Sequence, residues 1–373
     1  MLSTIITAEN NLDILLPAER LVVSPSAELI EASRHWSQVV WDEAVRLGPM
    51  FLNTEQVTRG LELAEHPVFI CGVHRSGTTL VKDLLDGHPE LVVLPSEGTW
   101  YTNIEYKFNQ FPQQDRSAFL GREWLRRIAN PINQPPYWLL GRSTDARSPY
   151  VDFARYFMAW YGNVNKQDPQ WPHMAVILAY ASVAGRLTAK LWVDKTPVNE
   201  RFLKRIWKEM PGAKIIQVIR EPAAVLTSRK KMEPGLNVRR VLHDLRLSYR
   251  VALQQNKKND SRFLLLRYEE ICADAETTAK QITGLLTISN SGSLNVPTVA
   301  GRPAFANSSF KSKPAPGKIL TADQHQQEEL LTESERDLLT AYVGNLATKL
   351  YYKVKAITGM RKIYQRAKYF FLS

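Results

Sequence analysis

The sequence predicts an α/β protein: a parallel sheet of about five strands with helices on both faces, plus a helical N-terminal cap and a C-terminal helix. Three observations carry that expectation. Short apolar runs of strand length recur between residues 68 and 266, each followed by a helix-period stretch, the alternation that parallel strands with crossover helices require. The first run, starting at Val68, ends in Gly72-Val73-His74-Arg75-Ser76-Gly77-Thr78-Thr79 and passes into a helix over Leu80 to Asp86, so a glycine-bounded loop joins a buried strand to a helix N-terminus. The 373 residues can bury a large core and show no internal repeat or low-complexity tract.

Composition narrows the partners. The formal net charge of +11 fits an anionic ligand or surface. Two cysteines, Cys71 and Cys272, sit in or beside apolar runs, which fits small core residues in a reducing compartment and argues against a disulfide scaffold. No segment reaches the ~18 uninterrupted apolar residues of a membrane span. The N-terminus lacks a basic start and carries Glu9 and Asp13, a poor signal peptide. A cytoplasmic enzyme is the expectation.

Residues 1–65 form the cap. Ser24 is the candidate cap of a helix over 24–48, with Pro25 in its first turn and Leu29, Trp36, Val40, Ala44 and Leu47 at helical spacing. A second helix spans about 54–65 from Thr54. The α/β region occupies 66–320. After the loop, Leu91 to Leu94 is a second strand running into Pro95-Ser96-Glu97-Gly98-Thr99. Ligands lie at the carboxyl ends of strands in open α/β sheets, so Glu97 should project near the loop. An insertion at about 100–190 is rich in Trp and Tyr, with helical patterns near 115–129, 148–162 and 173–189 and an ordered loop over Pro131 to Gly141. Its aromatics suit the wall of an acceptor pocket, and taken one at a time they suit core packing. Strands at Leu191 to Val193, Ala213 to Ile219 and Phe263 to Leu266 follow, with helices from Pro197 to Met210, from Pro222, over Asn237 to Asn256 and over 275–286. The pattern dissolves across 289–318, and 321–373 is a C-terminal helical region.

Two motifs carry chemistry. The Gly72–Gly77 spacing is that of a P-loop, G-x-x-x-x-G-K-[ST], with Thr78 where the lysine belongs. That lysine reaches the β- and γ-phosphates of a triphosphate; with Arg75 inside the loop instead, the site suits a nucleotide with a shorter anionic tail. The helix N-terminus adds unpaired amides and the positive end of the macrodipole. The second motif is the strand Lys214 to Ile219 closing on Arg220-Glu221-Pro222, with Ser228 eight residues after the arginine. Arg220 offers a planar, permanently charged fork to a phosphate, and Ser228, two helical turns on, offers a hydroxyl. The plainer alternative is a surface Arg220–Glu221 pair and a solvated serine.

Together these residues resemble the sulfotransferases that use 3′-phosphoadenosine 5′-phosphosulfate (PAPS), in the branch with arginine in the 5′-phosphosulfate loop, as in bacterial and tyrosylprotein enzymes. The resemblance covers roughly 67–320. It implies that Arg75, Ser76, Gly77, Thr78 and Thr79 hold the 5′ end of the cofactor and that Arg220 and Ser228 hold the 3′-phosphate. Asp194-Lys195-Thr196-Pro197 is similar to the family's D-K-T-P, which implies that Lys195 approaches the transferred group. Arg267-Tyr268-Glu269-Glu270 is similar to its R-Y-E-[ED], which implies that Tyr268 lies near the nucleotide. Asn307-Ser308-Ser309, followed by Lys311, Lys313 and Lys318, resembles the loop that closes over the cofactor. In this branch a glutamate about twenty residues beyond the loop arginine is the general base, and Glu97 stands 22 after Arg75. His74 and His88 are alternatives, His88 being better suited to ending a helix.

The implied reaction is sulfuryl transfer to a hydroxyl or amine of a glycan, lipid, phenol or tyrosine, with Glu97, Arg75 and Lys195 catalytic. No metal is implied; no His/Cys cluster has zinc spacing. The rival readings are a degenerate nucleotide kinase, in which Thr79 and Asp194 imitate the magnesium ligands, and a non-catalytic nucleotide-binding protein.

From Leu346 onward apolar residues recur every three or four positions, and residues 349–373 hold seven Lys or Arg and no acid. Such a helix can lie on an anionic membrane or pack on the domain with a solvated basic face. Nucleic-acid binding is not expected, because the charge sits in one tail without a reader motif.

Overall fold

Five strands, β1 (Pro67–Cys71), β2 (Leu91–Val93), β3 (Leu191–Lys195), β4 (Lys214–Ile219) and β5 (Phe263–Arg267), pair in parallel in the order β2-β3-β1-β4-β5. The computed structural model describes residues 1–15, 26–129, 138–141, 148–163, 170–233, 235–304, 315–319 and 331–353. The sheet is the parallel α/β arrangement expected from the alternation of runs. β1 is central, with β3 and β4 on either side, so the carboxyl ends of three strands converge where the chain changes direction across the sheet. Open α/β sheets place ligands at such a switch point.

Successive side chains of a strand point to opposite faces, and β1 shows what that does here. Val68 and Ile70 pack with Val81, Leu84 and Leu85 of the helix after the loop and with Ile282. Phe69 and Cys71 face the other way, among Trp192, Ile215 and the helices of the cap and insertion. Both faces are buried, which is why the strands read as unbroken apolar runs.

The helices are α1 (Leu2–Leu15), α2 (Ala27–Leu47), α3 (Thr54–Ala64), α4 (Thr78–Asp86), α5 (Glu105–Gln110), α6 (Arg116–Ala129), α7 (Pro149–Asn163), α8 (Trp171–Val183), α9 (Leu203–Glu209), α10 (Pro222–Met232), α11 (Val238–Lys258), α12 (Tyr268–Ala273), α13 (Ala275–Leu286), α14 (Glu333–Leu339) and α15 (Asn345–Lys349). Helix α1, absent from the sequence reading, buries Ile5, Ala8 and Leu12 at helical spacing. Helix α2 is capped by Ser26, whose Oγ accepts from the Leu29 amide at 3.1 Å, rather than by Ser24, and residues 24 and 25 lie outside the described residues. Helix α8 stops at Val183 instead of reaching 189. Gly185 takes φ 64°, and the amides of Gly185 and Arg186 close back onto Ser182 and Ala181 at 3.2 and 2.7 Å, a Schellman ending.

Most of the large aromatics described in the insertion are core, with Tyr106 exposed. Trp100, Trp124, Trp160, Tyr150, Phe153 and Phe157 are all buried in the cluster on the cap side of the sheet. These rings stabilise the layer; they do not wall an open pocket.

The C-terminal region departs most from expectation. The helix starting before Leu346 ends at Lys349; Tyr351 turns to φ 67°, and Tyr352 is buried. Tyr352 stacks on Tyr249 with centroids 6.1 Å apart and donates its hydroxyl to Glu269 at 3.1 Å. Burying that ring and its hydrogen bond outweighs one more turn of exposed helix. Residues 354–373 of the basic tail lie outside the described residues, as do Ser308, Ser309, Lys311 and Lys313.

Candidate active site

The loop between β1 and α4 is held open by backbone geometry. Gly72 (φ 141°), Arg75 (φ 73°) and Gly77 (φ 101°) all have positive φ, which turns successive amides toward one concavity, an anion-binding arrangement. A Cβ on Gly72 would lie 2.2 Å from the Val218 carbonyl oxygen, and one on Gly77 2.3 Å from Cδ2 of Tyr268. Glycine is required at both places because strand and ring approach so closely. The Gly72 amide donates to buried Glu200 at 3.0 Å, tying the loop to the segment after β3. Burial pushes the Glu200 carboxyl up, against hydrogen bonds from Ser248 and Gly72 that pull it down. The buried hydroxyl of Ser76 has no protein partner among the described residues. Thr78, also buried, and Thr79 open α4 at the mouth of the loop.

The second motif meets the first. Arg220 leaves the carboxyl end of β4, and its Nη1 donates to the Arg75 carbonyl at 3.2 Å. Its backbone oxygen accepts the hydroxyl of Tyr249, and Glu221 caps α10 by accepting from the Ala224 amide at 2.5 Å. About two turns of α10 then carry buried Ser228 into reach of Arg75, whose Nε donates to the serine Oγ at 2.9 Å. The ring of Tyr268, at the start of α12, lies under the Arg220 guanidinium at 4.3 Å and against Gly77. Two arginines, a serine and a tyrosine from four elements thus share one locus. Burial and the charge of Arg220 push Arg75 down to about 10, so it remains a cation at neutral pH while bearing the cost of crowded positive charge. An anion placed there relieves it. Burial also raises the Tyr268 and Cys272 hydroxyl and thiol, Cys272 to about 11. Both cysteines are free, Cys71 within the core and Cys272 half-buried.

Across β1, the turn after β2 brings Glu97 to Lys195 at the end of β3, with Nζ to Oε1 at 2.5 Å. Lys195 is 2% exposed and Glu97 34%, so the carboxylate faces the opening with the ammonium behind it. Burial alone would raise Glu97; the charge and hydrogen bond of Lys195, with His74 and Arg127, outweigh it and hold the carboxyl below its ordinary 4.5. His74 lies exposed on the loop, lowered by desolvation and by Arg229 and Lys195, although Glu97 pulls it up. His88 is engaged elsewhere: Nε2 meets the Ser289 carbonyl at 2.9 Å and Nδ1 accepts the Glu90 amide at 3.1 Å, just past the end of α4. Lys318 is exposed on a segment anchored beside the 298–303 hairpin, which Asp86 holds at the far end of α4 from the loop.

Several contacts of the site have no signal in the sequence. Arg127 of α6 donates to the Glu97 carbonyl at 2.8 Å. Asp194, fully buried, accepts from the Gly98 amide at 3.0 Å and the Thr196 hydroxyl at 2.9 Å, and lies 3.2 Å from His173. These three protein partners occupy the aspartate that a kinase would turn toward magnesium. The D-K-T-P stretch marked Asp194 and Thr196; only the fold shows what they hold.

No curated protein matches the chain. Among solved structures it is similar to the sulfotransferase domain of the olefin synthase of Synechococcus PCC 7002 (18% identity, 78% of this chain and 96% of that one, TM-score 0.44). It is also similar to the sulfotransferase domain of the curacin biosynthetic pathway (17% identity, 77% and 98%, TM-score 0.43) and to sulfotransferase STF9 of Mycobacterium avium (14% identity, 95% and 97%, TM-score 0.39). Residues 67–290, more than half of the 373 and inclusive of all five strands, match the sequence profile of the sulfotransferase family, to which the chain therefore belongs.

Proposed function

We propose that the chain transfers the sulfuryl group of PAPS to a hydroxyl or amine of an acceptor. One observation carries the reading: two cationic turns distant in sequence meet through Arg75, Ser228 and Arg220 at the carboxyl ends of β1 and β4, beside a carboxylate backed by a lysine. The loop fits an anionic tail: Arg75 and Arg220 crowd positive charge there, the positive-φ residues turn amides into one concavity, and the buried Ser76 hydroxyl has no protein partner among the described residues. When bound, PAPS supplies an activated sulfuryl group and departs as 3′,5′-adenosine bisphosphate.

The residues have distinct tasks in this reading. Arg220 and Ser228 grip the 3′-phosphate, and Ser76, Gly77, Thr78 and Thr79 present amides and hydroxyls to the 5′ end. Tyr268, already stacked on Arg220, borders the nucleotide. Glu97 would take the proton from the acceptor's hydroxyl or amine; its depressed pKa keeps it ionised at neutral pH. Arg75, Lys195 and the loop amides offset the charge that builds on the bridging oxygen, each such donor contributing roughly 3–4 kcal/mol. Ser308, Ser309 and a lysine among Lys311, Lys313 and Lys318 complete the grip from the late loop. The basic segment 349–373 brings the enzyme to an anionic membrane and so to a lipid or glycolipid acceptor. Among the described residues no helix is long and apolar enough to cross a membrane.

The test is transfer of labelled sulfate from PAPS to glycan, lipid, phenol and protein fractions, in wild type and Glu97→Gln, with calorimetric titration of 3′,5′-adenosine bisphosphate alongside. Bisphosphate binding with transfer that needs Glu97 supports the proposal. Binding without transfer to any fraction would leave a nucleotide-binding protein, and absence of binding overturns the reading.

A further inference from the structure

Beneath the turn that carries Glu97 lies a buried polar pair that the reaction scheme does not use. His173 of α8 is 1% exposed and Asp194 of β3 is fully buried. The imidazole stacks on Trp100 at 5.9 Å with planes 21° apart and is flanked by Trp124 and Trp192. In that apolar cage its Nε2 faces Oδ2 of Asp194 at 3.2 Å, while Nδ1 has no partner among the described residues. A buried polar pair of this kind is costly unless its remaining valences are used. Asp194 uses them on the turn: Oδ1 takes the Gly98 amide at 3.0 Å and the Thr196 hydroxyl at 2.9 Å, and the Thr196 oxygen in turn takes the Thr99 amide at 2.8 Å.

The pattern is a clamp on consecutive residues. Asp194 and Lys195, neighbours on β3, hold Gly98 and Glu97, neighbours on the turn, one by its amide and the other by its carboxylate. The fit leaves no slack. A Cβ on Gly98 would lie 2.2 Å from Oδ2 of Asp194, and Thr99 sits at φ 49°. The third side is closed by Arg127 on the Glu97 carbonyl.

We propose that His173 and Asp194 are positioning residues: the imidazole fixes the rotamer of Asp194, Asp194 and Thr196 fix the amides of Gly98 and Thr99, and the Glu97 carboxylate is thereby held on Lys195 and aimed at the opening. The positioning of Glu97 stands on this geometry, and its consequence for turnover rests on the assignment of Glu97 as the base. Displacing a reacting group by about 1 Å can cost on the order of 100-fold in rate, so a rigid support is worth a buried aspartate.

Two variants attack the clamp from different sides. His173→Phe keeps the aromatic packing and removes Nε2; Thr196→Val keeps the volume and removes the hydroxyl, and stands in if the phenylalanine variant does not fold. The direct readout is the titration of the Glu97 carboxyl by NMR in the full chain. Loosened from Lys195, and still flanked by His74 and Arg127, it should titrate higher than in wild type in either folded variant. In the same variants labelled-sulfate transfer to whichever fraction accepts it should fall about tenfold or more, with bisphosphate affinity unchanged, and the loss should vanish in a Glu97→Gln background. An unchanged Glu97 titration in both variants, or an equal rate loss with and without Glu97, overturns the inference while leaving the sulfotransferase reading intact. Wild-type turnover in Glu97→Gln would instead remove the base assignment, and the titration would still decide whether the pair positions that carboxylate.

Discussion

The side-chain Nε of Arg75 donates to the hydroxyl of Ser228 at 2.9 Å although 153 positions separate them. The motif that carries Ser228 alone admits an ordinary surface reading. Their contact makes one anion-binding locus out of two turns, because β1 and β4 are direct neighbours and both turns leave at the carboxyl ends. Arg220, reaching the Arg75 carbonyl from the same side, ties the turns a second time. The predictions follow from this geometry.

Arg220→Ala removes the guanidinium that stacks on Tyr268 and braces the loop. Affinity for 3′,5′-adenosine bisphosphate should fall by about 2–5 kcal/mol, the cost of deleting one member of a buried charged contact. Calorimetric titration measures it; an unaltered affinity would remove the residue from the phosphate grip.

Lys195→Met tests the sign of the electrostatics at Glu97. Desolvation pushes this carboxyl up and Lys195 more than cancels it. In wild type the acid limb of kcat/KM should therefore lie below 4.5, with activity present above that pH and lost as it falls through the depressed pKa. Without the ammonium, desolvation prevails and the limb moves toward neutrality. A limb that stays in place, whatever the drop in rate, would show that Glu97 is not the group being titrated.

Gly77→Ala puts a methyl 2.3 Å from the Tyr268 ring at a φ of 101°. Strain of this kind costs of order 1–3 kcal/mol, and the bisphosphate site should be lost with it. Gly162→Ala is the control: its Cβ meets nothing within 4 Å, and in a helix it should stabilise by about 0.5–1 kcal/mol. Thermal melts of the two variants should shift in opposite directions.

Tyr352→Phe cuts the hydrogen bond to Glu269, whose other oxygen accepts the Glu221 amide at 2.8 Å beside Arg220. The loss should be about 0.5–1.5 kcal/mol in stability, with a modest fall in bisphosphate affinity. Urea denaturation and the same calorimetry separate the two effects.

Deleting 354–373 spares Tyr352 and tests the tail alone. Flotation with anionic vesicles should be lost and bisphosphate binding kept. Equal flotation of both forms would refute the membrane role.

The strands were legible because β1 to β4 are buried on both faces, and β5, half-buried at the sheet edge, is still apolar from Phe263 to Leu266, so each appears as an apolar run. The two motifs proposed to hold phosphate were legible for a chemical reason: glycines where side chains cannot fit, and an arginine whose fork suits an oxyanion. Other features follow from spatial neighbours that sequence spacing does not encode. Ser26 rather than Ser24 caps α2 because its hydroxyl is the one at bonding distance from an orphan amide. The tail helix stops at Lys349 because Tyr249 and Glu269, from α11 and α12, offer Tyr352 a better environment than water. Trp100, Trp124, Tyr150, Phe153, Phe157 and Trp160 are core because the helices of the cap and the insertion pack together with them on that face of the sheet.

By itself, then, the chain's order of residues determined the layer architecture, the glycine-bounded loop and the arginines at the strand ends, since these depend on local conformation and residue type. Only the tertiary structure decided which groups work together: Ser228 with Arg75, Lys195 with Glu97, and Asp194 with the amide of Gly98. Hydrogen bonds act over about 3 Å, and which side chains come that close depends on strand order and register, which arise from the packing of the whole sheet.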